Sequence, residues 1–356
     1  MMTMEKLNLG ILGCGTITQF AHGPAALRAQ RVRLAALCDG ASDLLQKVGA
    51  RLGVERLYSN LEDMLADHEV HAIVIAVPDA FHVPLAIRAM RAGKHVLVEK
   101  PMGETIAHCL ELIRVQRETG VKVQVGSMKR HDPGVAFARK FVQDSAGEIL
   151  SVSGVYRDST LRYDMQASCL DPAIASNKKI TPASDPKSDR EHYNLTTQGP
   201  HLFDTIQYFA GRIEAVIAQV AHHTDNWSWH GVLEFACGAR GHFELTCKAC
   251  ADWCERYTVC GESGSVEVDV SLPFYHRPAQ ARCFDGKKRQ WHQPLGEQSN
   301  AYANQLDAFA EAILNNTPTN PSASEGLSVV AILEAVRESV STNHRVAVRH
   351  EPERST

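Results

Sequence analysis

The stretch Gly10-Ile11-Leu12-Gly13-Cys14-Gly15-Thr16-Ile17-Thr18 joins an apolar run to a helix-period segment. Gly13 and Gly15 supply the tight turn and close backbone approach that a pyrophosphate requires. The helix opening at Thr16 and Ile17 then offers free N–H groups to the anion. The third glycine position of such a fingerprint holds Thr18, so the pattern is incomplete. A glycine-rich turn can also be an ordinary strand–helix connection, but its place between a strand and a helix near the N-terminus favours a dinucleotide. A second strand ends at Cys38-Asp39-Gly40. A carboxylate there accepts from the adenosine ribose 2′-OH and repels a 2′-phosphate. Lys47 is the first basic residue to follow, which favours NAD over NADP, although Asp39 could also serve as a helix cap.

The elements that must hold these residues are legible from periodicity. Leu7–Leu12, Val32–Cys38, Ala72–Val77, His95–Val98 and Val121–Val125 read as strands. They alternate with helices over Thr16–Ala29 (broken near Gly23-Pro24), Ser42–Leu52, Asn60–Ala66, His82–Ala92 and Thr105–Thr119. Near-continuous apolar strands alternating with helices predict a doubly wound parallel sheet, an α/β Rossmann domain over residues 1–127. From 128 to 356 the pattern predicts an α+β domain. A helix around Asp132–Gln143 and the strand Ile149–Tyr156 precede a long polar stretch, Arg157–Asn194. A helix His201–Ala210, a run of strands to about Trp291 forming a large open, mostly antiparallel or mixed sheet, and helices Tyr302–Asn315 and Ser324–Ser341 complete it.

Composition narrows the classes. A chain of 356 residues exceeds the roughly 250–300 at which single cores stop growing. With 37 basic and 41 acidic side chains the net charge is −4, which gives no reason to expect nucleic acid. No apolar run reaches the ~20 residues of a membrane span. Residues 1–8 lack the pattern of a secretory signal, and ten scattered cysteines read as reduced thiols of a cytoplasmic protein.

Some features invite chemistry and favour a plainer reading. Cys247, Cys250 and Cys254 lie on or beside an apparent strand, where residues three apart face opposite sides; buried thiols are favoured and no metal is expected. Trp227 and Trp229 share a strand face and could stack on a sugar, but such pairs more often fill a core. The polar stretch, with Arg162, Asp164, Lys178, Lys179, His192 and Tyr193, is either a solvated loop or a lid over a substrate.

The segment His71–Met102, HAIVIAVPDAFHVPLAIRAMRAGKHVLVEKPM, resembles the glucose–fructose oxidoreductase, inositol dehydrogenase and MocA family. The shared elements are Pro78 after the strand Ala72–Val77, His82 opening the next helix, Gly93-Lys94-His95-Val96 and above all Glu99-Lys100-Pro101. Arg130-His131-Asp132-Pro133, His201-Leu202-Phe203-Asp204, Gly261–Ser265 and the last helices extend the likeness along the whole chain. The resemblance implies a nicotinamide held between two domains, with Val77, Pro78, His82 and Glu99 joining the glycine turn and Asp39 at the cofactor. It makes Lys100 the catalytic lysine that takes the substrate hydroxyl proton as hydride leaves the same carbon, its backbone fixed by Pro101. The family's catalytic helix usually begins with an Asp four residues before its His.

Here the His is His201 and the Asp position holds Thr197, which hydrogen-bonds a hydroxyl but takes no proton at neutral pH. Recognition of substrate hydroxyls then falls to Thr197, Gln198 or Asn194, with Arg130 as a further substrate-side candidate. Acid–base work is left to Lys100 and His201, the latter oriented by Asp204 three residues on. Three functions follow. The favoured one is an NAD-dependent dehydrogenase of a sugar, polyol, glycoside or sugar-derived acid. The alternatives are an enzyme that retains NAD and oxidises a sugar transiently for elimination or glycoside cleavage, and a non-catalytic NAD-binding regulator. A homodimer or homotetramer is expected, because an open sheet face would leave apolar side chains in water.

Overall fold

The computed structural model describes residues 6–178, 187–296 and 298–350. They divide into two compact units: Met1–Met128, Leu170–Asp185 and Tyr302–Leu327 in the first, and Lys129–Cys169, Pro186–Ala301 and Ser328–Thr356 in the second.

The first unit is built on β1 (Leu7–Leu12), β2 (Val32–Cys38), β3 (Arg56–Tyr58), β4 (Ala72–Ile75), β5 (His95–Val98) and β6 (Val123–Val125). They form a six-stranded sheet in the order β3-β2-β1-β4-β5-β6, and all the pairings are parallel. Every residue of β1 and β4 is buried, as expected of strands covered on both faces. The connecting helices are α1 (Gly23–Arg28), α2 (Ser42–Leu52), α3 (Leu61–Ala66), α4 (His82–Arg91) and α5 (Ile106–Thr119). Polar caps start two of them: Asn60 accepts from the Asp63 N–H at 3.0 Å and Thr105 from His108 at 3.2 Å. The expected break near Gly23-Pro24 is absent. A π-turn, Thr18–His22, runs directly into α1, the Gly23 N–H reaching back to the Thr18 carbonyl, and Pro24 follows without interrupting the helix.

The second unit holds α6 (Pro133–Ser145), β7 (Ile149–Ser159), α7 (Arg162–Ala167) and α8 (Arg190–Ala210). They are followed by β8 (Ile213–His223), β9 (Asn226–Phe235), β10 (Arg240–Ala249), β11 (Cys254–Gly261), β12 (Gly264–Asp269), β13 (Gln280–Asp285) and β14 (Gln290–His292). Helix α9 (Ala301–Leu314) belongs to the first unit from Tyr302 on, α10 (Ala323–Thr342) belongs to the second from Ser328 on, and the short β15 (Val346–Ala347) ends the fold. The sheet has nine strands in the order β14-β13-β12-β11-β7-β10-β9-β8-β15, mixed but mostly antiparallel, with β7 and β10 parallel.

Two expectations change. Helix α8 begins eleven residues before His201, capped by Asp189, which accepts from the His192 N–H at 3.0 Å, and it carries Pro200 inside. A proline within a helix costs about 3 kcal/mol. Leu195, Leu202, Phe203, Ile206 and Phe209 are all buried on this helix, and each contributes roughly 1.5–3 kcal/mol, so packing outweighs the break. The uncovered sheet face is also not the apolar surface expected. Arg157 pairs with Glu244, Arg256 with Asp269, Arg282 with Glu267 and Arg345 with Glu234 across it, and Ser153 meets Thr258 at 3.0 Å. Alternating polar residues on these strands face outward, with Ile217 and Val232 the exposed large aliphatics on β8 and β9.

Gly134 opens α6 against β13, where an added Cβ would lie 1.9 Å from the Ala279 carbonyl oxygen. Gly134→Ala must push strand from helix and is expected to cost about 1–3 kcal/mol, read as a lower urea midpoint at unchanged slope. An unaltered midpoint would mean the two elements separate freely.

Candidate active site

In the first unit, β1 runs into Gly13 at φ +98, a conformation L side chains rarely adopt. A Cβ here would stand 2.3 Å from the Ala76 carbonyl oxygen at the end of β4, whereas one on Gly15 would meet nothing within 4 Å. The turn is therefore closed on the sheet side and open at Gly15, with Thr16 exposed and Ile17 half-buried behind it. Thr18 explains the incomplete fingerprint: its hydroxyl donates to the Gly13 carbonyl at 2.6 Å, and it is wholly buried. Gln19 donates to the Cys14 carbonyl at 2.9 Å. With those carbonyls occupied from the helix, the unpaired N–H groups of the first helical turn remain for a pyrophosphate.

Asp39 sits half-buried at the end of β2, one oxygen accepting from the Cys14 N–H at 2.7 Å and the other from Ala41 at 2.8 Å. Each carboxylate oxygen keeps a lone pair for a ribose hydroxyl. Burial, with Asp39 close by, pushes the Cys14 and Cys38 thiols up to about 12, so both stay protonated beside the turn. The strands reverse order between β1 and β4, the switch point at which open α/β sheets take ligands. The turn, the open space at Gly15 and the acid at β2 all fit a dinucleotide.

Val77 is half-buried and Pro78 exposed in the loop after β4. His82 is 1% exposed, its ring nitrogens 2.8 Å from the Pro101 carbonyl and 2.9 Å from that of Val77. It latches two loops together. Lys100 is half-buried just beyond β5, joined to Pro101 by a cis peptide bond. Glu99 is buried, one oxygen 2.7 Å from His22 Nε2 and the other accepting the Lys100 backbone N–H at 3.1 Å. Burial alone would raise the Glu99 carboxyl; the His22 hydrogen bond and field, with the Lys100 ammonium, outweigh it and hold the carboxyl below its usual range.

In the second unit, Asn194, Thr197, Gln198 and His201 follow one another at helical spacing on α8. Thr197 and His201 are half-buried. Asn194 and Gln198 are buried and engaged: Asn194 Nδ2 donates to the Arg190 carbonyl at 2.8 Å, and Gln198 Oε1 accepts from the Tyr156 hydroxyl at 2.9 Å. Asp204 does not orient His201. Both of its oxygens hold Arg130, at 2.8 and 2.9 Å, in a buried bidentate pair. Arg130 is thus buried in this internal pair.

The support beneath His201 went unread in the sequence. Its ring lies parallel to Tyr156 at 6.0 Å, and Lys129 stands 4.7 Å above that same Tyr156 ring. Lys129 pairs with buried Glu255 at 2.5 Å, and the Tyr257 hydroxyl donates to Glu255 at 2.7 Å and to the His201 carbonyl at 3.4 Å. Burial raises the Glu255 carboxyl even against Lys129. The available signal was a charge and a phenol, Glu255 and Tyr257, two apart on one strand and hence on one face. Trp227 and Trp229 are buried, Cys247 is buried, and Cys250 is exposed. Of the polar stretch, Leu170–Lys178 belongs to the first unit: Gln19 bonds both backbone groups of Ile174, Arg51 donates to the Pro172 carbonyl at 3.2 Å and Ser176 to Asp43 at 2.8 Å. Lys179 lies outside the described residues.

Residues 7–127 match the profile of the GFO_IDH_MocA oxidoreductase family, NAD-binding Rossmann fold, and residues 194–348 that of its C-terminal alpha/beta domain. The chain belongs to the Gfo/Idh/MocA oxidoreductase family. Its first unit is an NAD-binding Rossmann domain. Inositol 2-dehydrogenase of Rhizobium meliloti (strain 1021) is 24% identical over 96% of this chain and 99% of that protein. An uncharacterized oxidoreductase, ORF334 of Rhizobium meliloti, is 31% identical over 44% of this chain and 48% of that protein. Levoglucosan dehydrogenase in complex with NADH and levoglucosan shares the fold at a TM-score of 0.80 and 22% identity, over 97% of this chain and 100% of that one.

Two outcomes test this geometry. Asp39→Ala is expected to weaken NADH binding about 10- to 100-fold, the worth of charge-assisted hydrogen bonds, and NADPH binding less, as read by fluorescence titration. Equal losses would confine Asp39 to holding the turn. Asp204→Ala leaves the Arg130 guanidinium buried without its anion and is expected to cost about 3–5 kcal/mol in denaturant melts, with Arg130→Met/Asp204→Leu recovering most of it.

Proposed function

We propose that this oxidoreductase is an NAD-dependent dehydrogenase of a secondary hydroxyl on a polyol, sugar, glycoside or sugar-derived acid. The observation that carries the reading is Lys100: an amine at the C-terminal end of β5, its backbone held by buried Glu99, in the same unit as the NAD turn. Relatives named for inositol and levoglucosan support the substrate class. NAD, when bound, accepts the hydride that leaves the carbinol carbon. Lys100 takes the hydroxyl proton, so the carbinol becomes a carbonyl and one proton is released. Thr197, half-buried on the face of α8 that carries His201, serves substrate recognition by donating to or accepting from a hydroxyl. With Asn194 and Gln198 engaged inside the fold, their part is to shape that face.

A homodimer or homotetramer is part of the proposal, supported by the breadth of the uncovered nine-stranded face. Its polar ladders favour a wet, hydrogen-bonded interface over an apolar one. The ten free cysteines suit a reducing compartment such as the cytoplasm. Among the described residues no helix is long and apolar enough to cross a membrane.

The test is NADH formation from NAD with a panel of polyols, sugars, glycosides and sugar acids, with Lys100→Met alongside. One active compound is expected, with the variant slowed at least about 100-fold, the scale of general acid–base catalysis. Lys100→Met as active as the parent would overturn the assignment. Product without net NADH would move the reading to transient oxidation.

A further inference from the structure

The π-turn Thr18–His22 carries one more residue per turn than regular helix, and such bulges re-aim a side chain within a helix, often at a functional site. Here the re-aimed residue is His22. It is fully buried, its Nε2 is 2.7 Å from Glu99 Oε1, and its ring meets Tyr302 of α9 edge-on at 5.5 Å. Glu99 only accepts as a carboxylate, so His22 Nε2 is the donor. The other oxygen of Glu99 takes the Lys100 N–H, and a Cβ on Gly126 would stand 3.1 Å from the carboxyl carbon. The carboxylate is therefore fixed on three sides: by a helix through a histidine, by the main chain of Lys100, and by a close-packed glycine.

Burying a carboxylate costs several kcal/mol unless it is paired, and a simple brace for Lys100 would not require a charge. We propose that His22 and Glu99 form a positioning pair that fixes the aim of Lys100 and places a permanent negative charge behind its amine. This rests on Lys100 being the base. The groups facing Glu99 are His22 from the π-turn, Lys100 on its own strand and Tyr302 from α9, whose phenol is driven far up by burial and by the Glu99 charge.

The experiment measures kcat and KM of the intact protein on the panel substrate, and NADH affinity by fluorescence titration. It compares wild type, Glu99→Gln, His22→Gln, which keeps a donor at the Nε2 position, and His22→Leu, which does not. Glu99→Gln keeps the shape but can accept from only one of its two donors, and it is expected to lower kcat about tenfold with a much smaller change in KM. His22→Leu is expected to lower kcat on the panel substrate about tenfold or more, with His22→Gln restoring most of it. Should His22→Leu fail to fold, the two near-isosteric variants carry the test. An unchanged kcat in Glu99→Gln, or losses confined to NADH affinity, would overturn the pair's role. Lys100→Met separates the two claims: if it is inactive while the His22 and Glu99 variants match wild type, the base stands and the pair falls, and if it is active the base itself falls.

Discussion

One α-carbon without a side chain sets the geometry of the first unit. Gly13 lies where β1, β2 and β4 end together: its N–H reaches the Cys38 carbonyl at 2.8 Å, and its open side lets the Ala76 carbonyl approach. Any larger residue at φ +98 would separate those strands and move each functional element with them. Thr18 and Asp39 are fastened to this same turn, one on the Gly13 carbonyl and one on the Cys14 N–H. Tolerance of Thr18 in place of glycine follows, since its hydroxyl closes the turn from inside where a third glycine would merely leave room.

The second unit rests on a different solution. Two cations that follow one another in sequence, Lys129 and Arg130, enter the interior and find separate anions, Glu255 on β11 and Asp204 on α8. Each pair ties the segment before α6 to a different element, so helix and sheet are registered against the same short turn. Buried ion pairs add little net stability, but breaking one is costly. What they supply here is a unique arrangement around His201: its ring against Tyr156, and its carbonyl over a tyrosine that Glu255 holds.

Much of this was legible beforehand, for identifiable reasons. Strands buried on both faces write themselves as apolar runs, so β1, β2 and β5 were found with their full bounds. The glycine turn, Asp39 and Lys100 belong to short contiguous motifs. What stayed hidden depends on partners far away in sequence. The start of α8 looked polar because its apolar face is completed only by distant strands, and Pro200 looked like a boundary because local propensity omits that packing. The three-residue β3 is too short for any period to register. Asp204 was assigned to His201 by helical spacing, but a buried carboxylate is decided by the nearest cation, and Arg130 lies 74 residues upstream.

The same distinction separates charges that hold the fold from charges that serve chemistry. Arg130–Asp204 and Lys129–Glu255 are closed pairs, each cation matched to one anion inside the unit. Glu99 is different. Its donors are an imidazole and a backbone N–H, and the ammonium that helps hold its carboxyl low belongs to a half-buried neighbour, Lys100. A buried carboxylate held by an imidazole and by the main chain, with no cation closing on it as a bidentate pair, does little for stability but fixes the backbone of the residue that follows. The π-turn that brings His22 to it gives up regular helix geometry in an otherwise regular Rossmann unit, and departures of this kind concentrate where function, more than stability, decides the residue.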